Sequence, residues 1–205
     1  MDDLLIFLSE QTPFLASGFL INIYISIAAM LMGSVLGTLL AIPLVRNWRL
    51  FKPLSALGIN LSRNVPSFVL MFYVAFFLPS EIPWQGQTIN VPPEYKAAIA
   101  LMFPVSGFAA DEFRGLFRRN GSFEKYFNSW MQYFLIILMA SVTASVIGAD
   151  EVLARANRLI STRSDISILI GTYVYIGLWF ICFGFIFTKF LKIIVRWPSN
   201  QNKRT

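Results

Sequence analysis

The chain has no histidine, a single cysteine and few charges: Asp, Glu, Lys and Arg make up only 14% of its 205 residues. With Cys182 alone and no histidine, neither a zinc site nor a Cys-His nucleophile can be assembled. No Gly-x-x-x-x-Gly-Lys sequence is present, so the chain does not hold ATP in a phosphate loop of its own. The acid pairs Asp111-Glu112 and Asp150-Glu151 would point apart on a helix and give no sign of paired acid-base work. No RNA- or DNA-binding motif occurs. An enzyme is the class least supported, and no catalytic residue, metal ligand or cofactor site is assigned.

What the chain has in quantity is apolar surface. It is 56% apolar and 16% aromatic, with a mean hydropathy of +0.62. A soluble domain carries roughly a quarter charged residues, so this composition reads as an all-α, polytopic membrane protein. Uncharged runs cover 11–45, 64–80, 97–110, 126–149 and 166–188. A span needs about 20 apolar residues. The first, fourth and fifth runs qualify alone, and the second and third need their charged edges, which gives about five transmembrane helices. The first run is about 50 Å long as one helix, so part of it is expected to tilt or to lie along the interface.

Met1-Asp2-Asp3 is acidic where a cleaved signal would be basic, so the first hydrophobic segment is expected to be retained. Twelve cations fall on one side of the five runs: Arg46, Arg49 and Lys52, four between Arg114 and Lys125, and five from Lys189 to Arg204. Only Lys96, Arg155, Arg158 and Arg163 fall on the other, where most of the acids also lie. That bias places the N terminus outside and the C terminus in the cytoplasm. Topology and anionic lipid then account for the net charge of +6. Residues 1–198 read as one transmembrane domain and 199–205 as a short basic cytoplasmic tail.

Two local patterns stand out. Ala29, Gly33, Gly37 and Ala41 recur every fourth residue and form a small-residue stripe along which another helix can approach, either within the chain or from another subunit. In SRNVPSFVLMFYVAFFLP, residues 62–79, Arg63 heads an apolar run beside Asn64 and Pro66, a cap and a first-turn residue for a helix that starts or breaks there. If 54–79 is one kinked helix, Arg63 lies at membrane depth and needs a partner or a polar cavity. If 50–62 lies at the interface, Arg63 snorkels to the headgroups. Asp111 and Arg114, three apart on one helix face, are placed either to neutralise each other or to act in substrate passage.

These segments resemble the permease subunits of ATP-binding-cassette importers for polar amino acids. Residues 62–79 are similar to the family's Arg-x-x-Pro…Phe…Leu-Pro, with Leu70 where glutamine is usual. In the first run Gly18, Ser26, Gly33, Gly37, Leu40, Ala41 and Arg46 match, and Asn22 stands in place of threonine. GFAADEFRG resembles Ala-Tyr-x-Ala-Glu-x-x-Arg-Gly through Asp111, Arg114 and Gly115. SVIGADEVLARAN matches Ser-Val-Ile-Gly-x-x-Glu-Leu-x-x-x-Ala at Ser145, Val146, Ile147, Gly148, Glu151 and Ala156.

The resemblance implies the type I importer fold and a translocation path whose intramembrane polar residues are here Arg63, Asn64, Pro66, Asp111, Arg114, Ser141 and Ser145. It also implies three partners: a second permease subunit, a cytoplasmic ATP-binding subunit that would perform any hydrolysis, and an extracytoplasmic solute-binding protein. The implied location is the cell inner membrane.

Two departures matter. The family's Lys-Asp-Thr-Ser is here Met139-Ala140-Ser141-Val142, without either charge. The loop that carries Glu-Ala-Ala…Gly and docks on the ATPase is reduced to RGLFRRNGSFEKYFNSW, with Gly121 and Glu124 as a vestige. Two readings follow: a divergent half of a heteromeric amino-acid permease with weak or no ATPase coupling of its own, or a repurposed, non-transporting scaffold or sensor that keeps the fold.

Overall fold

The computed structural model describes residues 2–118, 123–163 and 165–201. The chain forms seven α-helices in these segments: α1 (Asp2–Val45), α2 (Lys52–Asn64), α3 (Ser67–Phe77), α4 (Pro93–Arg118), α5 (Phe123–Ala140), α6 (Val152–Ser161) and α7 (Ile166–Gln201). A 3-10 segment, Ser141–Ile147, continues α5. Each of the five uncharged runs falls in this helical framework. Among the described residues, three stretches are long and apolar enough to cross a membrane: Leu4–Val45, Glu124–Ile147 and Ile166–Ile193. The 166–188 run understates its helix, which continues past Lys189 and Lys192 to Gln201.

α1 is the organising element. Its 44 residues would extend about 66 Å as a straight helix. Its main partner is α4, and the small-residue stripe makes that approach possible. A methyl built on Gly33 would sit 2.5 Å from Val105 Cβ and 2.7 Å from the Met102 carbonyl, and one on Gly37 would sit 2.8 Å from Ala109 Cβ. Ala29 joins a buried cluster with Leu101 and Val105, and Ala41 another with Ile59 and Ala110. The stripe is therefore occupied within the chain. Phe19 holds α7 by edge-on contacts with Trp179, Phe180 and Phe183.

The break after Arg63 has a local cause. Val65 is extended (φ −80°, ψ 124°) because it precedes a proline, and Pro66 brings no backbone N–H. The expected cap is corrected here: Asn64 is the last residue of α2, whereas Pro66 is the N-cap of α3 and makes no side-chain cap bond. Of the two readings of this region, the one with a single kinked helix over 54–79 gives way to two separate helices.

The 3-10 segment is also local in origin. Ser141, Thr143 and Ser145 each hydrogen-bond the carbonyl three residues back, at 2.7, 2.7 and 3.1 Å, in competition with the α-helical ladder. Gly148, left-handed at φ 89°, ends it, and the Ala149 N–H returns to the Ala144 carbonyl at 3.1 Å.

One element was not anticipated, an antiparallel hairpin of β1 (Glu81–Trp84) and β2 (Gln87–Asn90). Its two-residue turn, Gln85-Gly86, has positive φ at both positions, which suits the twist of the flanking strands. Nearby, the buried Lys96 reaches Ser80 Oγ at 3.2 Å.

Candidate functional site

Among the described residues, two clusters of mutually bonded polar side chains lie along α4. Glu94 in the first turn of α4 marks one, and Asp111 marks the other, 17 residues and roughly 25 Å along the same helix.

The first is a buried knot. Asn22, in the middle of α1, is fully buried, as are Ser141 and Glu151. The Asn22 amide donates to Ser141 Oγ at 2.9 Å and to Glu151 Oε2 at 3.1 Å, and its carbonyl oxygen accepts the Val152 N–H at 3.1 Å. Glu151 is the N-cap of α6 and accepts the Leu153 and Ala154 N–H groups at 2.9 and 2.8 Å. Ser141 donates onward to the Leu138 carbonyl at 2.7 Å. Burial pushes the Glu151 carboxyl above its ordinary range despite these three donors. Its oxygens are committed to holding helix ends, with no oxygen turned to a reacting group.

Beside the knot, Asp150 pairs with Arg155 at 2.9 Å and with Arg158, and its N–H donates to Glu94 at 3.0 Å. Both arginines also lie over the Phe14 ring, with their guanidinium carbons 4.9 and 5.6 Å from its centroid. A cleft of about 520 Å³ opens here between Ser145, Gly148, Asp150, Asn157 and Arg158.

The second centre joins α2 to α4. Arg63 meets Asp111 at 2.7 Å, and Arg114 approaches the other oxygen of the same carboxylate at 3.5 Å. Two guanidinium groups share the one Asp111 carboxylate, and Glu112 adds a second acid beside them. Ser106 donates to Ser62 Oγ at 3.1 Å just beneath it. Gly107 leaves the room: a methyl there would lie 2.6 Å from Arg63 Cγ. Arg63 and Asp111 remain 54% and 38% exposed, so the cluster faces outward from the helix pair.

The sequence-assigned polar residues therefore divide. Arg63, Asp111 and Arg114 come together, and Asn64 and Pro66 flank them at the helix break. Ser141 belongs to the buried knot and Ser145 to the neighbouring cleft. Glu124 lies in the first turn of α5, and Gly121 lies outside the described residues. Sequence reasoning missed the knot itself. Asp150 and Glu151 are not on a helix, as their pairing had been read, but in the turn before α6. An acid directly ahead of an apolar helical run is a capping signal that would have singled out Glu151.

No protein-family profile matches the chain, and no curated protein matches it. Among solved structures, the fold is similar to a chain described as "Crystal structure of an amino acid ABC transporter with histidines". The TM-score is 0.76, the match covers 93% of this chain and 97% of that one, and sequence identity over it is 16%. At that identity the likeness concerns the fold: the chain has the architecture of an ABC importer permease.

Proposed function

We propose that this chain is a membrane subunit of an amino-acid ABC transport system, one divergent half of a heteromeric permease with weak or no ATPase coupling of its own. The observation that carries the reading is the near-complete overlap of its fold with a chain from an amino acid ABC transporter. It crosses the cell inner membrane about five times, with the N terminus outside and the C terminus cytoplasmic. The 1–198 portion acts as one permease-like domain, ahead of a short basic tail.

What supports weak coupling is the short loop RGLFRRNGSFEKYFNSW between the third and fourth apolar runs. About a dozen residues between spans form one or two helical turns, hardly a docking helix pair. An intact second permease subunit supplies that contact, a cytoplasmic subunit hydrolyses ATP, and a solute-binding protein delivers substrate from outside. In this reading the exposed Arg63–Asp111–Arg114 cluster belongs to the inner end of the path, where its charged groups meet a passing zwitterion.

The test is co-expression with the candidate partners and reconstitution into vesicles. ATP-dependent accumulation of labelled amino acid is the expected result. A purified assembly that contains this chain and lacks any ATPase would overturn the transport reading in favour of a scaffold or sensor.

A further inference from the structure

A cavity of about 640 Å³ lies between the start of α1 and the start of α7, away from both polar centres. Three charged side chains line it: Glu10 from α1, and Arg163 and Asp165 from the segment leading into α7. Among the described residues no ion pair joins Arg163 to either acid. Arg163 instead stands over the Phe7 ring, its guanidinium carbon 5.1 Å from the centroid. That stacking fixes the cation in place without neutralising it. One Asp165 oxygen accepts the Ser167 N–H at 2.8 Å, which turns the carboxylate toward the helix start and holds it there. Leu4, Phe7 and Ile168 supply the apolar part of the lining.

One cation and two acids, held apart in one cavity, complement a ligand that carries an anion and a cation separated by a short linker. The cavity wall is also oily on its outer side. Ile6, part of the lining, is 57% exposed, and Leu5 next to it in the chain is 62% exposed. Such a rim suits acyl chains better than water.

We infer that this cavity binds the headgroup of a zwitterionic phospholipid of the ethanolamine class. The phosphate sits against Arg163, and the ammonium donates to Glu10 and Asp165. The acyl chains run down the exposed apolar side chains of α1 at Leu5 and Ile6. Two carboxylate acceptors favour an ammonium with N–H donors over a quaternary one, and they disfavour a headgroup carrying only negative charge. The lipid thereby ties the first turns of α1 to α7, which meet here through Leu4, whose Cδ atoms would lie 2.7 and 2.8 Å from a methyl on Gly171. This inference does not depend on the transport reading.

Native mass spectrometry of the full-length protein in detergent tests it, with equimolar phosphatidylethanolamine, phosphatidylcholine and phosphatidylglycerol supplied. Retention of phosphatidylethanolamine at least fivefold above the other two is expected. That preference should disappear in the double variant Glu10→Gln, Arg163→Gln, which must elute as the parent does. Equal retention of the three lipids, or an unchanged preference in the double variant, would overturn the inference. A short-chain phosphatidylethanolamine and soluble phosphoethanolamine then separate the two sources of this headgroup. Stronger competition by the lipid supports the membrane source, and equal competition by the soluble compound refutes it.

Discussion

Asn22 and Glu151, 129 residues apart in the chain, meet at 3.1 Å in the fully buried knot that pins α6 to the middle of α1. Each of the two also holds a backbone N–H of α6, so removing either leaves donors unsatisfied in an apolar setting. The cost of one buried unsatisfied group is about 1–3 kcal/mol. Asn22→Ala should therefore lower the melting temperature by roughly 2–12 °C for a chain of this size, read by fluorescence-detected size exclusion after heating. Ser17→Ala, on the exposed side of α1, should lower it far less.

Glu151 also makes stability depend on pH. Its carboxyl is raised by burial, in the turn between the 3-10 segment and α6 and outside the long apolar helices. The folded protein binds this proton more readily than the unfolded chain. The contribution is present in full below the ordinary value of 4.5 and is lost as pH rises through the higher folded value. The expected outcome is a melting temperature that declines on going upward from pH 4.5. The slope should flatten in Glu151→Gln, which carries no titrating group there. An unchanged slope in that variant would assign the dependence elsewhere.

The α1–α4 seam gives a test by size alone. Gly33→Ala forces a methyl to 2.5 Å from Val105, whereas Gly177→Ala on α7 meets nothing within 4 Å. Overpacking of this kind costs about 1–3 kcal/mol, and replacing a helical glycine whose Cβ site is open by alanine gains up to about 1 kcal/mol. The two variants should shift thermal stability in opposite directions.

At the other end of the frame, Arg63→Ala leaves Asp111 with only the more distant Arg114. The yield of folded protein should fall more than with Lys203→Ala, a change in the basic tail. The charge exchange Arg63→Asp with Asp111→Arg should recover part of the loss. If the exchange is no better than either single change, the pair contributes nothing specific.

Orientation is open to labelling. With Cys182→Ser as the background, an impermeant maleimide added to intact cells should modify Thr88→Cys in the hairpin and spare Arg49→Cys between α1 and α2. Both positions are exposed. The reverse pattern would invert the topology drawn from the charge bias.

Much of this frame was legible in advance because it rests on short-range signals. Apolar run length marks helices, and the spacing of Ala29, Gly33, Gly37 and Ala41 marks a face for close approach. Asp111 and Arg114 are neighbours on one turn, so their pairing is local. The Arg63–Asp111 contact is not local, and neither is the knot at Asn22. Both depend on which helices the topology brings together, information that periodicity in one helix does not carry. The hairpin escaped for a different reason. Its turn residues, Gln85 and Gly86, follow a strand with a proline at Pro83, which weakens the pattern that would flag a strand.

The length of α1 sets a problem of timing for synthesis. Asn22 leaves the ribosome more than a hundred residues before Ser141 and Glu151, and Gly33 about 70 residues before Val105. Through that interval a helix of 44 residues carries an unpaired amide and an uncovered glycine face. An unpaired polar side chain is costly in hydrocarbon, so α1 stays unfinished until α4 and α6 arrive. The helix that organises the finished molecule is thus the first to be made, and its polar and small-residue faces are covered only by elements made much later.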